Sequence, residues 1–325
     1  MWRLISSGLD SYNVACDQFV NRATNSNEFL VGNGLRSCTS EIQVSAEFAV
    51  DGDPVRLIDT PGFNDTAIED AEILEKISAF LATVSVIYVS RLARSDLPFR
   101  YKHEVKLAGV IYFHRISDER WRRSDTRSFG WLRRICGEDT LRNVVLMTNM
   151  WGNVDPKVGV AREKQLAAEF VRPALDKGAQ LLRNGNTTES AHEIIRVILR
   201  NHRSALQVQQ ELIDEGRKFD QTTVGKGISE ELREDKNKLE RQLEALENEL
   251  RRMQAGKKGE RAQMEAEIVT LREKIEEHDE KTGNMNEDYE EKEAETDRQW
   301  GPIILGLVGG IISCMLLLAR FYFRL

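Results

Sequence analysis

Residues 55–65 read Val55-Arg-Leu-Ile-Asp59-Thr-Pro-Gly62-Phe-Asn-Asp65, and the class of fold turns on how that stretch is read. A short apolar run stops at Asp59-Thr60-Pro61-Gly62. Leu57 and Ile58 have the character of a buried strand's end, and Pro61-Gly62 makes the chain turn there. Open α/β sheets hold ligands just beyond the carboxyl ends of their strands. At such a place a carboxylate like Asp59 suits contact, through water, with a phosphate-bound Mg²⁺, and the Gly62 N–H can face a terminal phosphate. The same four residues also spell an ordinary type I or II turn, so the motif needs company.

Company lies on both sides. Upstream, residues 41–50 alternate like a strand (Ile42, Val44, Ala46, Phe48, Val50). Asp51-Gly52-Asp53-Pro54 then turns, and residues 55–58 return, which predicts an antiparallel hairpin. Downstream, residues 66–82 carry helical spacing with acids near the start, where the helix dipole favours them. Two strand candidates follow at 84–90 and 107–114, with an exposed Arg/Ser/Pro-rich insertion between them. A helix is expected near 126–136 and a compact buried strand over 143–148, ending in Thr148-Asn149-Met150-Trp151-Gly152. Helix 157–171, a short strand at 179–182, a turn at Asn184-Gly185-Asn186 and a helix capped near Thr188 or Ser190 complete the unit. Alternating strands and helices predict an α/β fold: a mostly parallel sheet, covered on both faces, with one antiparallel hairpin. Residues 1–18 show no strand, glycine loop and helix in succession, so they stay unassigned and the first strand is expected to be missing.

The chain has 325 residues, 41% of them hydrophobic, enough for one substantial domain and an appendage. Residues 221–300 hold 15 Lys/Arg against 23 Asp/Glu, whereas residues 1–220 are nearly balanced at 29 against 30. The acidity therefore belongs to the downstream segment, and no nucleic-acid partner is expected. Cys16, Cys38, Cys136 and Cys314 are scattered, which argues against a disulfide framework or zinc site. No secretory leader is expected.

From about 203 the composition changes. Leu239, Leu243, Leu246, Leu250 and Met253 step by 4, 3, 4 and 3, and Met264, Ile268, Leu271 and Ile275 resume the pattern after Gly256, Lys257 and Gly259. That is the spacing of a coiled-coil seam with a stutter or local hinge, and it predicts self-association; a single solvated helix held by Glu–Lys pairs is the alternative. Residues 302–319 are free of charge for 18 residues, with Trp300 before them and Arg320 after. Such a helix would span about 27 Å, which predicts a transmembrane tail over 301–323 that meets a lipid bilayer through 302–323.

With these pieces placed, the chain resembles the septin-like, immunity-associated (paraseptin) P-loop GTPases, in the divergent form of many fungal G-domain proteins. The carrying residues are Ser37-Cys38-Thr39-Ser40, Asp59-Thr60-Pro61-Gly62-Phe63, Val110-Ile-Tyr-Phe-His114-Arg-Ile-Ser-Asp118 and Val145-Leu-Met-Thr148-Asn149-Met-Trp151. The resemblance implies an incomplete G domain over 19–202, a helical or coiled-coil segment over 203–298 and the tail anchor. It implies GTP or GDP and Mg²⁺ as cofactors: Thr39 and Asp59 for the metal, the Gly62 N–H for the γ-phosphate, and Thr148-Asn149 in the base-recognition loop. It further implies a single-pass, tail-anchored membrane protein with its G domain in the cytosol, forming a homo-oligomer through that domain and the coiled coil.

This sequence departs from the family pattern in several places. The Gly-x-x-x-x-Gly-Lys-Ser/Thr loop is absent, and Ala15-Cys16-Asp17-Gln18 stand where Gly-Lys-Ser-Thr would be. Cys16 cannot supply a lysine's charge, and Asp17 would repel phosphate. Trp151-Gly152 replace the aspartate that pairs with the guanine edge. Phe63 stands where a water-orienting glutamine is found in Ras-like proteins, leaving His114, near a strand end, as the visible polar candidate for catalysis; a hydrogen-bonded surface histidine is the plainer reading. Two functions follow as alternatives: an oligomerising GTPase-type switch or scaffold on a membrane, or a nucleotide-free pseudo-GTPase scaffold.

Overall fold

The computed structural model describes residues 2–6, 14–27, 41–63, 66–92, 107–253 and 258–322. Its strands are β1 (Trp2–Ser6), β2 (Gln43–Val44), β3 (Phe48–Val50), β4 (Asp53–Thr60), β5 (Val110–Arg115), β6 (Val144–Asn149) and β7 (Gln180–Arg183). The α-helices are α1 (Val14–Thr24), α2 (Ala67–Leu92), α3 (Arg123–Cys136), α4 (Pro156–Gln165), α5 (Arg172–Leu175), α6 (Thr188–Arg200), α7 (Gln207–Gln209), α8 (Thr223–Arg252) and α9 (Lys258–Tyr322).

The sheet runs β2-β4-β1-β5-β6-β7, with β3 also on β4. β1 pairs in parallel with both β4 and β5, and β6 and β7 continue the parallel run. β2 and β3 are antiparallel to β4, and β3 turns into it through Asp51 and Gly52, both at positive φ. The sheet is mostly parallel, and it corrects one expectation: the first strand is not missing. Trp2-Arg-Leu-Ile-Ser6 forms an interior strand of the parallel run, between β4 and β5.

Alternation along the central strands buries both faces. Val110, Tyr112, Val144 and Leu146 face one core with α2 and α3, while Ile111, Phe113, Val145 and Met147 face another with α1 and α6. Phe19 of α1 meets Phe113 edge-on at 5.5 Å. Thr187 caps α6 by accepting from the Ser190 N–H, one residue before the Thr188 expected.

The strand expected at 84–90 is the C-terminal part of the 26-residue helix α2. A run that is apolar throughout satisfies either structure, and here Ser85 decides. Its hydroxyl donates to the Leu81 carbonyl one turn back and accepts from Gln209 Nε2 at 2.8 Å. The insertion after it falls largely outside the described residues.

The coiled-coil seam also closes differently from the self-association expected of it. The chain reverses between Met253 and Lys258, and α8 and α9 pack against each other within one chain. Lys236 reaches Asp279 at 2.5 Å, Arg272 reaches Glu247 at 2.7 Å, and Ile268 and Leu271 are buried. This hairpin joins the main core: Val224, Ile228, Leu232, Met285 and Tyr289 share a cluster with Ile58, Phe80 and Tyr112. Tyr289 stacks on Phe219 at 4.6 Å.

The transmembrane span expected over 301–323, and with it the bilayer contact and tail-anchored location, is corrected. Among the described residues no helix is long and apolar enough to cross a membrane. Residues 258–322 continue one helix out of the acidic hairpin. Trp300, expected at a lipid boundary, instead packs edge-on against Phe80 at 5.6 Å, and Gly301 beside it is buried. Residue 323 lies outside the described residues.

Ion pairs tie the hairpin to α2. Arg127 of α3 bridges buried Asp70 at 2.9 Å and Glu231 of α8 at 2.5 Å. Lys281 of α9 reaches the fully buried Glu75 at 2.9 Å and Asp288 at 2.7 Å. Burial pushes the Glu75 carboxyl up to about 7 against the pull of Lys281. With its folded value raised, Glu75 favours folding at acid pH and loses that contribution as pH climbs through about 7. Lys281→Ala is therefore expected to cost about 3–5 kcal/mol in urea unfolding at pH 8, where Glu75 is left charged and unpaired, and clearly less at pH 5.5.

Candidate functional site

All the parallel strands end on one rim of the sheet, and the expected site residues sort by where they meet it. The register sets Asp59 opposite Ile5 and Thr60 opposite Ser6, so the Asp59-to-Gly62 bend leaves β4 beside the end of β1. Asp59 and Thr60 are buried, Gly62 is half-buried, and Phe63 turns into the core shared with α2. β6 brings Thr148 and Asn149 to the same rim, in register with His114 and Arg115 of β5. Thr39 lies outside the described residues, as does the segment joining β1 to α1.

At the Asp59 end the first turn of α1 supplies Cys16 and Asp17. The Cys16 thiol donates to Asp59 Oδ1 at 2.6 Å. Burial, then the adjoining Asp59 charge, push the thiol well above its usual range, so it stays protonated. Asp17 is 1% exposed, and its Oδ2 has no hydrogen-bond partner among the described residues. Burial and the Asp59 charge together raise its carboxyl to about 7. The arrangement thus brings a thiol against two carboxylates.

At the Asn149 end the groups converge on a cavity of about 270 Å³, lined by Gln18, Asn149, Trp151, Gly152, Asn153 and Asn186 among others. Thr148 is fully buried and holds the wall: its hydroxyl donates to the Leu182 carbonyl and accepts from Trp151 Nε1 at 3.1 Å. Arg183 lies over the Trp151 ring at 4.2 Å and is itself forked onto Glu163 at 2.9 and 3.0 Å. Gly159 of α4 leaves the space the indole needs, since a Cβ there would stand 2.9 Å from Cζ3. Across the cavity Asn184 Oδ1 accepts from the Asn186 N–H and the Ser190 hydroxyl, fixing the loop after β7. Met150 and Asn186, one on each lip, both adopt left-handed backbone (φ 57° and 56°).

Asn149 stands out in this frame. It is 5% exposed, and neither Oδ1 nor Nδ2 has a hydrogen-bond partner among the described residues. Its backbone carbonyl accepts from the Ile116 N–H, so the strand end is anchored while the side-chain amide is left without a mate. A buried amide in that condition costs roughly 1–3 kcal/mol unless something completes it.

His114 has different company. Its ring sits 5.2 Å from Trp121, which stacks on Phe170 at 5.1 Å. Burial holds it down to about 4, so it is uncharged at neutral pH. Its position on β5 puts it on the face that Tyr112 occupies, the α3 side of the sheet, away from α1.

The sequence reading missed the Cys16–Asp59 contact and the part played by Gln18, Trp151 and Asn186. Asn184-Gly185-Asn186 was legible as a turn, and a turn directly after a parallel strand was the available signal.

No family model matches the chain, and no curated protein sequence matches it. Among solved structures it is similar to Toc33 from Arabidopsis thaliana in complex with Mg²⁺ and GMPPNP, at 12% identity and TM-score 0.46, covering 62% of this chain and 86% of that one. It is likewise similar to Toc33 in complex with GDP and Mg²⁺, at 12% identity and TM-score 0.46, covering 64% and 88%. A third similar structure concerns dimerization and GTPase activity of the chloroplast translocon components atToc33 and psToc159, at 12% identity and TM-score 0.42, covering 63% and 86%. At this level of likeness no ligand, activity or assembly transfers to the present chain.

Proposed function

We propose that this chain is a GTPase-like protein that binds guanine nucleotide, GTP or GDP, along the C-terminal rim of its sheet. The base enters the cavity beside Asn149 and the phosphates lie toward the Asp59 bend. The observation that carries this reading is Asn149, a lining residue of a cavity at the strand tips whose side-chain donor and acceptor are buried with no described partner. Thr148 serves the same pocket by holding Trp151 in place. The Gly62 N–H toward a terminal phosphate belongs to the same proposal.

The Mg²⁺ that the resemblance implies does not fit the residues described. Mg²⁺ takes oxygen ligands in near-ideal octahedral geometry. Here a protonated thiol engages Asp59, and Asp17 adds negative charge where phosphate would lie. No hydrolytic step is assigned to His114 or to any other residue. The Cys16–Asp59 contact thus favours a reading between the two alternatives: a G domain that holds its ligand without turning it over, and serves as a binding module. The hairpin of α8 and α9, packed along the helix that follows the Asp59 bend, supports a role in transmitting ligand occupancy. Self-association through the G domain belongs to the proposal too, on the strength of the family resemblance; the coiled-coil seam does not supply it, because α8 and α9 pack on each other.

Calorimetry on the full chain is expected to show saturable GDP and GTP binding that Asn149→Ala weakens at least about tenfold, the scale of one or two buried hydrogen bonds, with an unchanged circular dichroism spectrum. No binding of either nucleotide would remove the proposal. Asp17 gives a second expectation. Its raised folded value means that it is neutral below about 7 and charged above, so GDP binding weakens by about fivefold from pH 6 to pH 8 on the scale of an added like charge near the phosphates. Asp17→Asn should flatten that profile, and should raise unfolding stability at pH 8 more than at pH 6.

A further inference from the structure

The described lining of the Asn149 cavity is neutral throughout. Amide side chains come from Gln18, Asn149, Asn153, Asn184 and Asn186, with no carboxylate and no cation among the described lining residues. Two charges that flank this lining in the sequence are engaged elsewhere. Asp155 accepts from the Lys157 and Val158 N–H groups to cap α4, and Arg183 is forked onto Glu163 over the Trp151 ring.

That lining has consequences for which base it can read. Guanine presents two adjacent N–H donors on its Watson–Crick edge, and a carboxylate, with two acceptor oxygens, is the group that meets both. An amide can satisfy only one of them with its oxygen and brings its own N–H₂ against the other. Adenine presents an exocyclic N–H₂ donor next to a ring-nitrogen acceptor, and an asparagine amide meets that pair with both of its atoms at once. Asn149 offers such a donor and acceptor, buried and without described partners.

Resting on the nucleotide-binding reading above, we propose that this pocket does not select guanine and accepts adenine nucleotides at least as well. Gly152 is the position that sets this preference. It lines the cavity, and a Cβ built on it meets nothing within 4 Å, so a side chain can begin there without a clash. A site that lacks a group matched to the competing base loses the discrimination of several powers of ten that matched hydrogen bonds provide.

The test is titration calorimetry of the full chain with ADP and with GDP, for the wild type and Gly152→Asp. For the wild type, ADP is expected to bind as tightly as GDP or tighter. Gly152→Asp is expected to move the ratio toward GDP by about tenfold or more, with an unchanged thermal unfolding midpoint. A wild-type protein that binds GDP more than about a hundredfold tighter than ADP overturns this inference and leaves the nucleotide-binding reading standing. A folded Gly152→Asp variant whose ratio does not move overturns the role given to Gly152. Binding of neither nucleotide overturns both readings together.

Discussion

The constraint on which the rest depends is the pairing of β4 on both of its edges. β1 holds it in parallel on one side, while β2 and β3 hold it antiparallel on the other. With its register fixed from two directions, the strand must deliver Asp59 and Thr60 to the rim where β1, β5 and β6 also end. A one-residue slip would turn Leu57 and Ile58 each toward the wrong core and carry Asp59 away from Cys16. The position of the bend, the start of α2 and the surroundings of Asp59 therefore follow from backbone pairing before any ligand chemistry enters.

What the rim then offers is uneven. Its Asn149 end is built: Thr148 orients Trp151, Gly159 makes room for the indole, and Asn184 ties down the opposite lip. Its Asp59 end is crowded with acid, relieved by a neutral thiol and by the proton that Asp17 holds more tightly than usual. Behind the rim, α2 leads away from the bend and is clasped by Asp70–Arg127–Glu231 and Glu75–Lys281–Asp288. Buried pairs of this kind add little net stability over an apolar contact, but they penalise any shift that parts them. The helix nearest the Asp59 bend is thereby coupled to the hairpin by contacts that do not stretch gradually.

Much of this was legible in the sequence, and the failures are instructive. The hairpin through Asp51-Gly52, the strand ending at Asn149 and the helix after Asn184-Gly185-Asn186 were readable because local pattern and turn chemistry agreed. β1 was not: five residues without a following glycine–lysine loop carry no local mark, and their place inside the sheet comes from partners more than 50 residues away in β4. Residues 84–90 misled because a uniformly apolar run has no period, and the contact that settles it, Ser85 with Gln209, spans 124 residues. The heptad steps of α8 and α9 were correctly periodic, yet period alone does not say whether the partner helix belongs to another chain or is the next helix of the same one. Cys16 and Asp59 are 43 residues apart and neither belongs to a motif that names the other.

The central claim is that the unmated amide of Asn149 faces a nucleotide base. It is tested most directly by following the ¹⁵N side-chain amide resonance of Asn149, assigned by its loss in Asn149→Ala, as GDP or ADP is added to the full chain. The account predicts a saturable shift of that resonance, with a midpoint equal to the calorimetric dissociation constant. A resonance that stays in place while nucleotide binds elsewhere would contradict it.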